Sequence, residues 1–349
     1  MSEDCMKKHS GQIGKQSISF ENPPIISKSA CICGSKEGEG PLSKDFDKTA
    51  KDDMFEMDTW EKAESKMQEE TVSLLLSKAG YEREDIRYIF AGDLMGQLIA
   101  STFGLMNFEI PLFGLYGACS TFGEAMGLGA AMVSAGYADK VISLASSHFA
   151  SAEKTFRFPL EYGNQRPFSA TWTVTGCGSV IIEKNSSKAV NPMAKITGIT
   201  TGKIVDYGVK DSMNMGACMA PAAASVIEAN LNDFGITVDE YDKIITGDLG
   251  YVGQRILIDL LRERGIDISE KHMDCGIEIF DKETQDTHAG GSGCGCSASV
   301  FSGTILKRLG SGMWKKILFV PTGALLSTVS FNEGQTVPGI AHGVVVEGV

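Results

Sequence analysis

The feature that most constrains the fold is an internal repeat, in which three blocks of the chain occur twice in the same order. Each copy contains a strand followed by Gly-Asp-Leu, a glycine-rich elbow with a helix and a strand, and a closing apolar strand. The paired blocks are 79–94 with 234–249, 114–146 with 290–322, and 176–183 with 340–347. Their shared order predicts two similar halves, 16–190 and 191–349. The polar residues before them, 1–15, are expected to form a disordered tail.

The helix that follows each elbow carries almost no charge. Within 120–135 the only charged residue is Glu124, and within 297–305 there is none. A helix that is apolar on all sides is buried on all sides, so both helices are expected between two sheets. The segment 59–78 is amphipathic and is expected on an outer layer. These features predict an α/β fold, a five-layered αβαβα sandwich built from two duplicated halves.

Composition and charge exclude several classes of protein. The 349 residues carry a net charge of −12, so neither nucleic acid nor an anionic membrane surface is an expected electrostatic partner. Nine cysteines in a chain of this length do not form a disulfide framework. The polar N-terminus has no signal peptide, which predicts a reducing, cytosol-like compartment. No uncharged apolar stretch reaches about 18 residues, so no transmembrane helix is expected.

The first elbow contains one cysteine, Cys119, in the stretch LYGACSTFGEAMGLG. A helix N-terminus lowers the pKa of a thiol, so this cysteine could be a nucleophile. The N–H groups of the same helix end can hold a carboxylate without any chemistry. A third interpretation is a small residue that fits a tight turn. From these residues alone the three interpretations stay open.

The two halves and the elbow cysteine resemble the thiolase and ketoacyl-synthase superfamily. From about Gly14 to the C-terminus, longer motifs resemble the stage V sporulation protein AD family of spore-forming bacteria; among them are AGDL, FGLYGACST, SSHFASAEKTFRFPLEYGNQRP, TVTGCGSV, HMDCG, HAGGSGCGCSA and IAHGVVVE. The resemblance implies a thiolase-like fold that binds dipicolinic acid, which is pyridine-2,6-dicarboxylic acid. It also implies membrane partners of the same operon, which move this acid into the developing spore. A peripheral position on the cytoplasmic side of the forespore or spore inner membrane is expected, as is a homodimer by superfamily analogy.

Superfamily enzymes use a second-half histidine and an asparagine, a second histidine or a second cysteine beside the elbow cysteine. Here the loop at 246–254 has no histidine, and the glycine-rich loop at 289–298 has no asparagine. His288 directly precedes that loop, and one of its two cysteines could stand where a thiolase has its second cysteine. A cysteine without an oriented base loses its activation. The sequence therefore favours non-catalytic binding, and the alternative is a thiolase-like acyltransferase with Cys119 as nucleophile.

The resemblance also associates Asp93, in AGDL, with the ligand. Asp248 occupies the same place in the second half, and both precede a predicted helix, so each could serve as a helix cap. We expect Asp93 to contact or shape the pocket and Asp248 only to cap. Because an acid is an unusual partner for a dianion, Asp93 would orient a donor, be protonated, or hold a cation such as Ca²⁺ that the ligand also chelates.

Two further ligand-binding candidates lie in the first-half insertion, 147–173. Arg166 could pair with a carboxylate through two parallel hydrogen bonds or form a surface ion pair, and His148 could bind the ligand or be a satisfied core histidine. The aromatic residues that could stack on a ring, or else belong to the core, are Phe149, Phe156, Phe158 and Tyr162. The two Cys-x-Cys pairs lack further ligands, so no metal site is predicted, and no cofactor is expected apart from Ca²⁺ that enters with the ligand.

Overall fold

The computed structural model describes residues 11–156, 166–186 and 192–349. The strands of these residues are β1 Gln12–Ile13, β2 Ser17–Ser19, β3 Ile25–Cys33, β4 Lys48–Thr49, β5 Tyr88–Gly92, β6 Leu112–Gly114, β7 Lys140–Ser147, β8 Trp172–Thr173, β9 Gly176–Glu183, β10 Ala194–Thr201, β11 Lys243–Thr246, β12 His272–Asp274, β13 Gly291–Ser292, β14 Lys316–Val320, β15 Thr322–Ala324 and β16 Gly339–Glu347. Of the tail predicted at 1–15, residues 1–10 lie outside the described residues. In the remaining part, Gln12 and Ile13 form β1, which pairs with β2.

The helices of the same residues are α1 Ser35–Gly38, α2 Trp60–Ala79, α3 Ile99–Leu105, α4 Thr121–Ser134, α5 Phe149–Phe156, α6 Met215–Phe234, α7 Gly250–Arg262, α8 Cys275–Glu278, α9 Cys294–Val300, α10 Leu306–Gly310 and α11 Thr328–Asn332. A π-helical segment, Phe301–Ile305, joins α9 to α10. None of these helices combines the length and the hydropathy that a bilayer-spanning segment needs.

The two halves have the same strand order. In the first half the order is β6-β5-β7-β9-β3, and in the second it is β12-β11-β14-β16-β10. Counted in that order, the first two pairings of each half are parallel and the last two are antiparallel. Each block of the sequence repeat falls on equivalent strands, namely β5 with β11, β7 with β14 and β9 with β16. The duplicated α/β fold is therefore confirmed.

The two five-stranded parts correspond to the two sheets that the sequence predicted, and a short pairing joins them. Ala194 of β10 pairs with Ile26 of β3, and Lys195 pairs with Ile25. Most of β10 pairs with β2 and β16 instead. The link is short because only the start of β10 reaches β3. It joins the strands of the two halves by hydrogen bonds, and each half contributes one face to a shared core.

Three hydrophobic clusters separate the layers. One lies between α2 and the first-half strands, and one lies between α6, α7 and the second-half strands. The third contains side chains of both halves around α4 and α9. Burial on all sides is confirmed for α9, but α4 leaves Leu128 exposed at one edge. The amphipathic segment is α2, which lies on the outside as predicted.

Candidate functional site

The Cys119 elbow is a tight turn between β6 and α4. Ala118 has a φ of +50°, in the left-handed region that residues with a Cβ atom rarely adopt. Ser120 Oγ donates to Gly117 O at 2.7 Å, and Thr121 Oγ1 donates to Ala118 O at 2.7 Å. Such a backbone conformation persists only where the surroundings fix it. The hydrogen bonds on both sides of Cys119 therefore hold its thiol in one place.

Strand β15 of the second half packs directly against this elbow. A Cβ atom added at Gly323 would lie 2.2 Å from Gly117 O and 3.0 Å from Cys119 N. Backbone atoms cannot move aside as a flexible side chain can, so the strand needs a glycine at this point. The two halves of the fold therefore meet at the cysteine.

A cavity opens beside the Cys119 thiol. Its walls come from both halves and consist of Leu94, Tyr116, Ala118, Cys119, Ala152, Glu153, Phe156, Thr173, Met215, Ser292, Ala324 and Leu326. The short parallel pair of β8 and β13 sets Thr173 opposite Ser292. The hollow encloses about 410 Å³ when its open mouth is included. Only about 30 Å³ of it can contain the centres of water molecules, which is room for about two waters.

The Asp248 carboxyl group, two residues beyond the end of β11, interacts with the Cys119 thiol. It is fully buried, and its Oδ2 accepts hydrogen bonds from Gly293 N at 2.8 Å and from Ser292 Oγ at 3.2 Å. Oδ1 has no N–H or O–H donor among the described residues. Burial raises the pKa of Asp248 to about 7, although its interaction with the Cys119 thiol opposes that shift. Burial and the nearby Asp248 charge raise the pKa of Cys119 well above its usual range.

The prediction that Asp248 only caps a helix is wrong. The backbone N–H groups at the start of α7 are bound by Asp274 of β12, whose carboxylate accepts from Leu249 N at 2.8 Å and from Gly250 N at 3.1 Å. Because Asp274 already satisfies these donors, Asp248 is left to accept a hydrogen bond from Gly293 N, directly before α9.

Asp93 instead binds the backbone that leads into α3. Its carboxylate accepts from Met95 N at 2.9 Å, from Ser101 N at 2.9 Å and from Ser101 Oγ at 2.7 Å. It is buried, and it does not line the cavity, although its neighbour Leu94 does. Asp93 therefore has the helix-binding role that was expected of Asp248, and neither acid is among the described residues that line the cavity. A ligand-binding role for Asp93 stays a prediction.

The insertion places His148 away from the cavity. Ala150 N donates to His148 Nδ1 at 3.2 Å, so the opposite nitrogen, Nε2, carries the proton and donates to Asp53 O at 2.7 Å. Burial lowers the pKa of this histidine, which favours its neutral form. Both ring nitrogens have partners, as in a satisfied core histidine.

Arg166 also lies outside the cavity lining. Its guanidinium donates to Asp286 O at 3.0 Å, pairs with the Asp286 carboxylate at 3.3 Å and lies 4.8 Å from the Trp172 ring centre. Of the aromatic candidates, Phe156 lines the cavity and Phe149 stacks on Trp172 with ring centres 3.9 Å apart. The other two, Phe158 and Tyr162, lie outside the described residues. Of the four predicted ligand-binding residues, only Cys119 lines the cavity.

No motif singled out Glu153, which lines the cavity on the α5 side. It is buried and accepts a hydrogen bond from Thr173 Oγ1 at 3.3 Å. It precedes Phe156 by three positions, so the two side chains share one face of α5. The spacing of three positions from the ligand candidate Phe156 is the sequence signal that could have identified Glu153.

In the part of the chain that the structure describes, neither a histidine nor a cluster of metal-binding side chains lines the cavity. The described histidines are His148, His272, His288 and His342, and none of them lines it. The described residues also contain no group of three or more His, Cys, Asp or Glu side chains arranged to hold a metal ion. In the second-half loop, Cys294 Sγ donates to Ser146 O at 2.8 Å.

Comparisons with known proteins identify close and distant relatives. The profile of the family described as stage V sporulation protein AD matches residues 14–347, which agrees with the extent of the resemblance in the sequence. Over 334 residues the chain is 41% identical to stage V sporulation protein AD of Bacillus subtilis (strain 168), and the match covers 96% of this chain and 97% of that protein.

Solved structures with the same fold are much more distant in sequence. One is 3-oxoacyl-[acyl-carrier-protein] synthase III from Aquifex aeolicus VF5, with a TM-score of 0.53 and 13% identity over 93% of this chain and 99% of that chain. Another is the priming β-ketosynthase of the R1128 polyketide pathway, with a TM-score of 0.55 and 12% identity over 95% of this chain and 98% of that chain. These structural similarities confirm the thiolase-like fold, but sequence identities this low give no information about the reaction.

Proposed function

The chain belongs to the stage V sporulation protein AD family, and from that premise we propose that it binds dipicolinic acid in the cavity beside Cys119 and performs no reaction on it. The observation that carries this proposal is a cavity beside the Cys119 thiol whose described lining contains no histidine, with the buried Asp248 carboxyl group near the thiol but outside that lining. An acid there opposes formation of the thiolate, which a nucleophilic cysteine requires.

The shape and polarity of the cavity suit a small planar ligand. Apolar side chains from four segments supply flat walls for a ring; they are Leu94, Ala152, Phe156, Met215, Ala324 and Leu326. Helix α4 has 14 residues and begins at Thr121, two residues after the cysteine, so its first N–H groups point towards the elbow. Small-molecule sites commonly combine such apolar walls with a few fixed polar groups.

The acids of the site favour a ligand whose charge is already neutralised. Glu153 lines the cavity and Asp248 lies behind the thiol, whereas no lysine or arginine is among the described lining residues. A free dianion would meet the Glu153 carboxyl group in the cavity, with Asp248 close behind the wall and no lysine or arginine in the described lining to balance its charge. The Ca²⁺ chelate of dipicolinate is neutral, because the metal balances both carboxylates. We therefore expect the chelate to bind more tightly than the free acid.

Ligand entry requires the walls to move. The space for about two waters is too small for a pyridine ring with two carboxyl groups. Tyr116 is 45% exposed at the mouth, and Phe156 and Leu326 close the hollow from the other sides. Side-chain rotation at these three residues would widen the cavity.

A second copy of the chain is the expected partner at the edge strand β6. All three residues of β6 are exposed, including Leu112 and Phe113. Nearby exposed apolar residues extend this edge, and they are Ile99, Phe103, Met106 and Tyr116. A free apolar strand edge invites pairing with another strand, and pairing with a second copy would give a homodimer. Because Tyr116 belongs to both the edge and the cavity, the partner would also cover the cavity mouth.

Membrane partners and a peripheral position complete the proposal. The family is a sporulation family, and the net charge of −12 disfavours direct attraction to anionic lipid. We therefore expect attachment to the cytoplasmic side of the forespore or spore inner membrane through membrane proteins of the same operon. Flotation with liposomes alone should leave the protein in solution, and co-purification with those proteins should recover it from membranes.

Calorimetric titration with dipicolinate tests the binding proposal. We expect heat with dipicolinate, a lower dissociation constant when Ca²⁺ is present, and no heat with pyridine-3,5-dicarboxylate, which has the same charge but cannot chelate through its ring nitrogen. No heat and no rise in melting temperature with dipicolinate would contradict the proposal. Equal affinity with and without Ca²⁺ would contradict only the preference for the chelate.

The alternative function is acyl transfer through Cys119, which the fold of the distant relatives keeps open. Incubation with acyl-coenzyme A followed by peptide mass spectrometry separates the two functions. The binding proposal predicts no added acyl group on Cys119. An acyl group located on Cys119, and absent from a Cys119→Ala variant, would instead support the acyltransferase.

A further inference from the structure

A chain of buried hydrogen bonds runs behind the cavity and ends beside two segments of its wall. We propose that Gln68, on the outer helix α2, is a positioning residue that fixes the distance between these two segments and thereby sets which ring the cavity admits. The inference rests on the proposed function in taking this cavity as the ligand site. It can be tested without any ligand, so its failure and the failure of dipicolinate binding are separate outcomes.

The side-chain amide of Gln68 is the centre of the chain. It is fully buried, and its Nε2 donates to Ser101 Oγ of α3 at 3.2 Å and to Ser146 Oγ of β7 at 2.7 Å. Gly104, one turn after Ser101, allows α3 to approach α2 this closely, because a Cβ atom there would lie 2.5 Å from Ser65 O. One side chain of the outer helix therefore joins a second helix to a strand of the sheet.

Each of the two serines continues the chain to a buried acid. Ser101 Oγ donates to Asp93 Oδ2 at 2.7 Å, and Ser146 Oγ donates to Glu64 Oε1 at 2.7 Å. The other oxygen of Glu64, Oε2, accepts from Ser151 Oγ of α5 at 2.8 Å. Both acids are buried without any exposed surface. The chain thus extends from the residue after β5, through α2, to α5.

The serines fix the orientation of the glutamine amide. A hydroxyl group has one hydrogen, and Ser101 and Ser146 donate theirs to the acids, so each can only accept from Gln68. The amide nitrogen must therefore face both serines, and the amide oxygen Oε1 has no donor in the described part of the chain. A buried oxygen without a donor destabilises a fold. Stability alone therefore does not account for a glutamine at this position.

Both ends of the chain adjoin residues that line the cavity. At one end Asp93 directly precedes Leu94, and at the other Ser151 directly precedes Ala152 and Glu153. No member of the chain is itself among the described lining residues. Close-packed interiors transmit small displacements, so the chain acts on a ligand only through the position of these two wall segments.

Gln68→Met tests the inference, because methionine has a similar length but cannot donate a hydrogen bond. The first measurement compares the rates at which iodoacetamide and iodoacetanilide, which has the same reactive group on a phenyl ring, alkylate Cys119 without ligand. Both reagents attack the thiolate, so a change in its pKa cancels in the ratio of the two rates. A loosened wall admits the ring more often. We expect the ratio of iodoacetanilide to iodoacetamide to rise about threefold or more over the wild type.

Ser151→Ala cuts the same chain at its α5 end. If Gln68→Met unfolds, which alkylation of the fully buried Cys296 would reveal, Ser151→Ala decides in its place by the same ratio. In calorimetry each variant should bind dipicolinate about three- to tenfold more weakly. The double variant should bind no more weakly than the weaker single variant, because the second substitution cuts a chain that is already broken.

Thr71→Val is the matched control on the same helix. It removes a buried hydroxyl that donates to Met67 O at 2.7 Å, outside the chain, and it should keep the wild-type rate ratio and affinity. An unchanged ratio in Gln68→Met, an equal rise in Thr71→Val, or losses of affinity that multiply in the double variant would overturn the inference. A raised ratio in a protein that does not bind dipicolinate would support the inference and contradict only the proposed function.

Discussion

At the residue scale, Asp93 is expected to influence dipicolinate binding through the segment that carries Leu94. An asparagine at this position retains only one acceptor oxygen for the donors at Met95 and Ser101. We expect Asp93→Asn to lower the free energy of unfolding by about 1–3 kcal/mol and to weaken dipicolinate binding in parallel. Ser101→Ala removes one of the donors and should change both quantities in the same direction, by less.

Thermal unfolding and calorimetry on the same samples separate an indirect role from a direct contact. Unchanged unfolding of Asp93→Asn together with complete loss of binding would contradict the indirect role. An unaffected Ser101→Ala variant would add to that contradiction.

The elbow cysteine was predictable from sequence, but the division of roles between the repeated acids was not. Glycines around Cys119 and an uncharged helix after it identify a buried turn whatever lies nearby. Asp93 and Asp248 share the same local sequence, Gly-Asp-Leu. Their difference arises from residues distant in the chain, because Asp274 caps α7 and so leaves Asp248 to accept hydrogen bonds from Ser292 and Gly293.

At the scale of elements, the contact between β15 and the elbow should tolerate no side chain. Gly323→Ala would place a Cβ atom 2.2 Å from Gly117 O, so one of two backbones must shift. We expect a loss of unfolding free energy of about 1–3 kcal/mol, the usual range for overpacking, with a further loss of dipicolinate binding. Chemical denaturation and calorimetry measure the two effects.

Gly310→Ala is the matched control for this substitution. A Cβ atom at Gly310, the last residue of α10, would meet nothing within 4 Å. This control should unfold like the wild type or slightly later, since alanine favours a helix by up to about 1 kcal/mol over glycine. Equal behaviour of Gly323→Ala and Gly310→Ala would contradict the proposed contact.

The repeat predicted the main elements because its blocks contain the strands that form each half of the sheet. It could not predict the irregular positions. The 3₁₀ turn at Ala118–Ser120 and the π-helical segment at Phe301–Ile305 depend on how neighbouring layers pack. Strands β8 and β13 contain two residues each, which is too short for an alternation of apolar and polar residues to identify them.

At the scale of the whole molecule, the homodimer should depend on the edge strand β6. Phe113→Asp places a charge on an exposed apolar strand that needs an apolar partner. We expect this variant to sediment as a monomer and the wild type as a dimer. Met313→Asp changes a residue that is also exposed, but in the second half, and should remain a dimer. A dimeric Phe113→Asp variant, or a monomeric wild type, would exclude this interface.

Buried acids should make the whole fold less stable as the pH rises. Burial raises the pKa of Glu37 to about 8, against about 4.3 in an unfolded chain. Between these values the folded protein retains a proton that the unfolded chain releases. The stabilising contribution of Glu37 is therefore complete below about pH 4 and is lost as the pH rises towards about 8.

Glu37→Gln should remove this part of the pH dependence, because an amide does not ionise and can still accept from Thr175 N. Chemical denaturation at pH 6 and pH 8 should show a smaller loss of unfolding free energy for the variant, by up to about 1.4 kcal/mol per pH unit. The exposed Glu333→Gln should follow the wild type. Wild-type and Glu37→Gln stabilities that fall in parallel would contradict the assignment.

The layered architecture was predictable because uncharged helices and a duplicated strand order leave few arrangements. The short pairing that joins the two sheets was not, since it rests on Ile25 and Ile26 meeting the first residues of β10. Likewise, the sequence placed Cys119 near a ligand site, but only the packing of both halves assembles the cavity walls around it.

The central claim is that dipicolinate occupies the cavity beside the Cys119 thiol, and protection of that thiol tests it most directly. The measurement is the rate of Cys119 alkylation by iodoacetamide, at a pH where the wild-type thiol reacts, with increasing dipicolinate and Ca²⁺. We predict that the rate falls in proportion to occupancy, and that pyridine-3,5-dicarboxylate has no effect. An unchanged rate at dipicolinate concentrations that saturate the calorimetric signal would contradict the claim, because the ligand would then bind elsewhere.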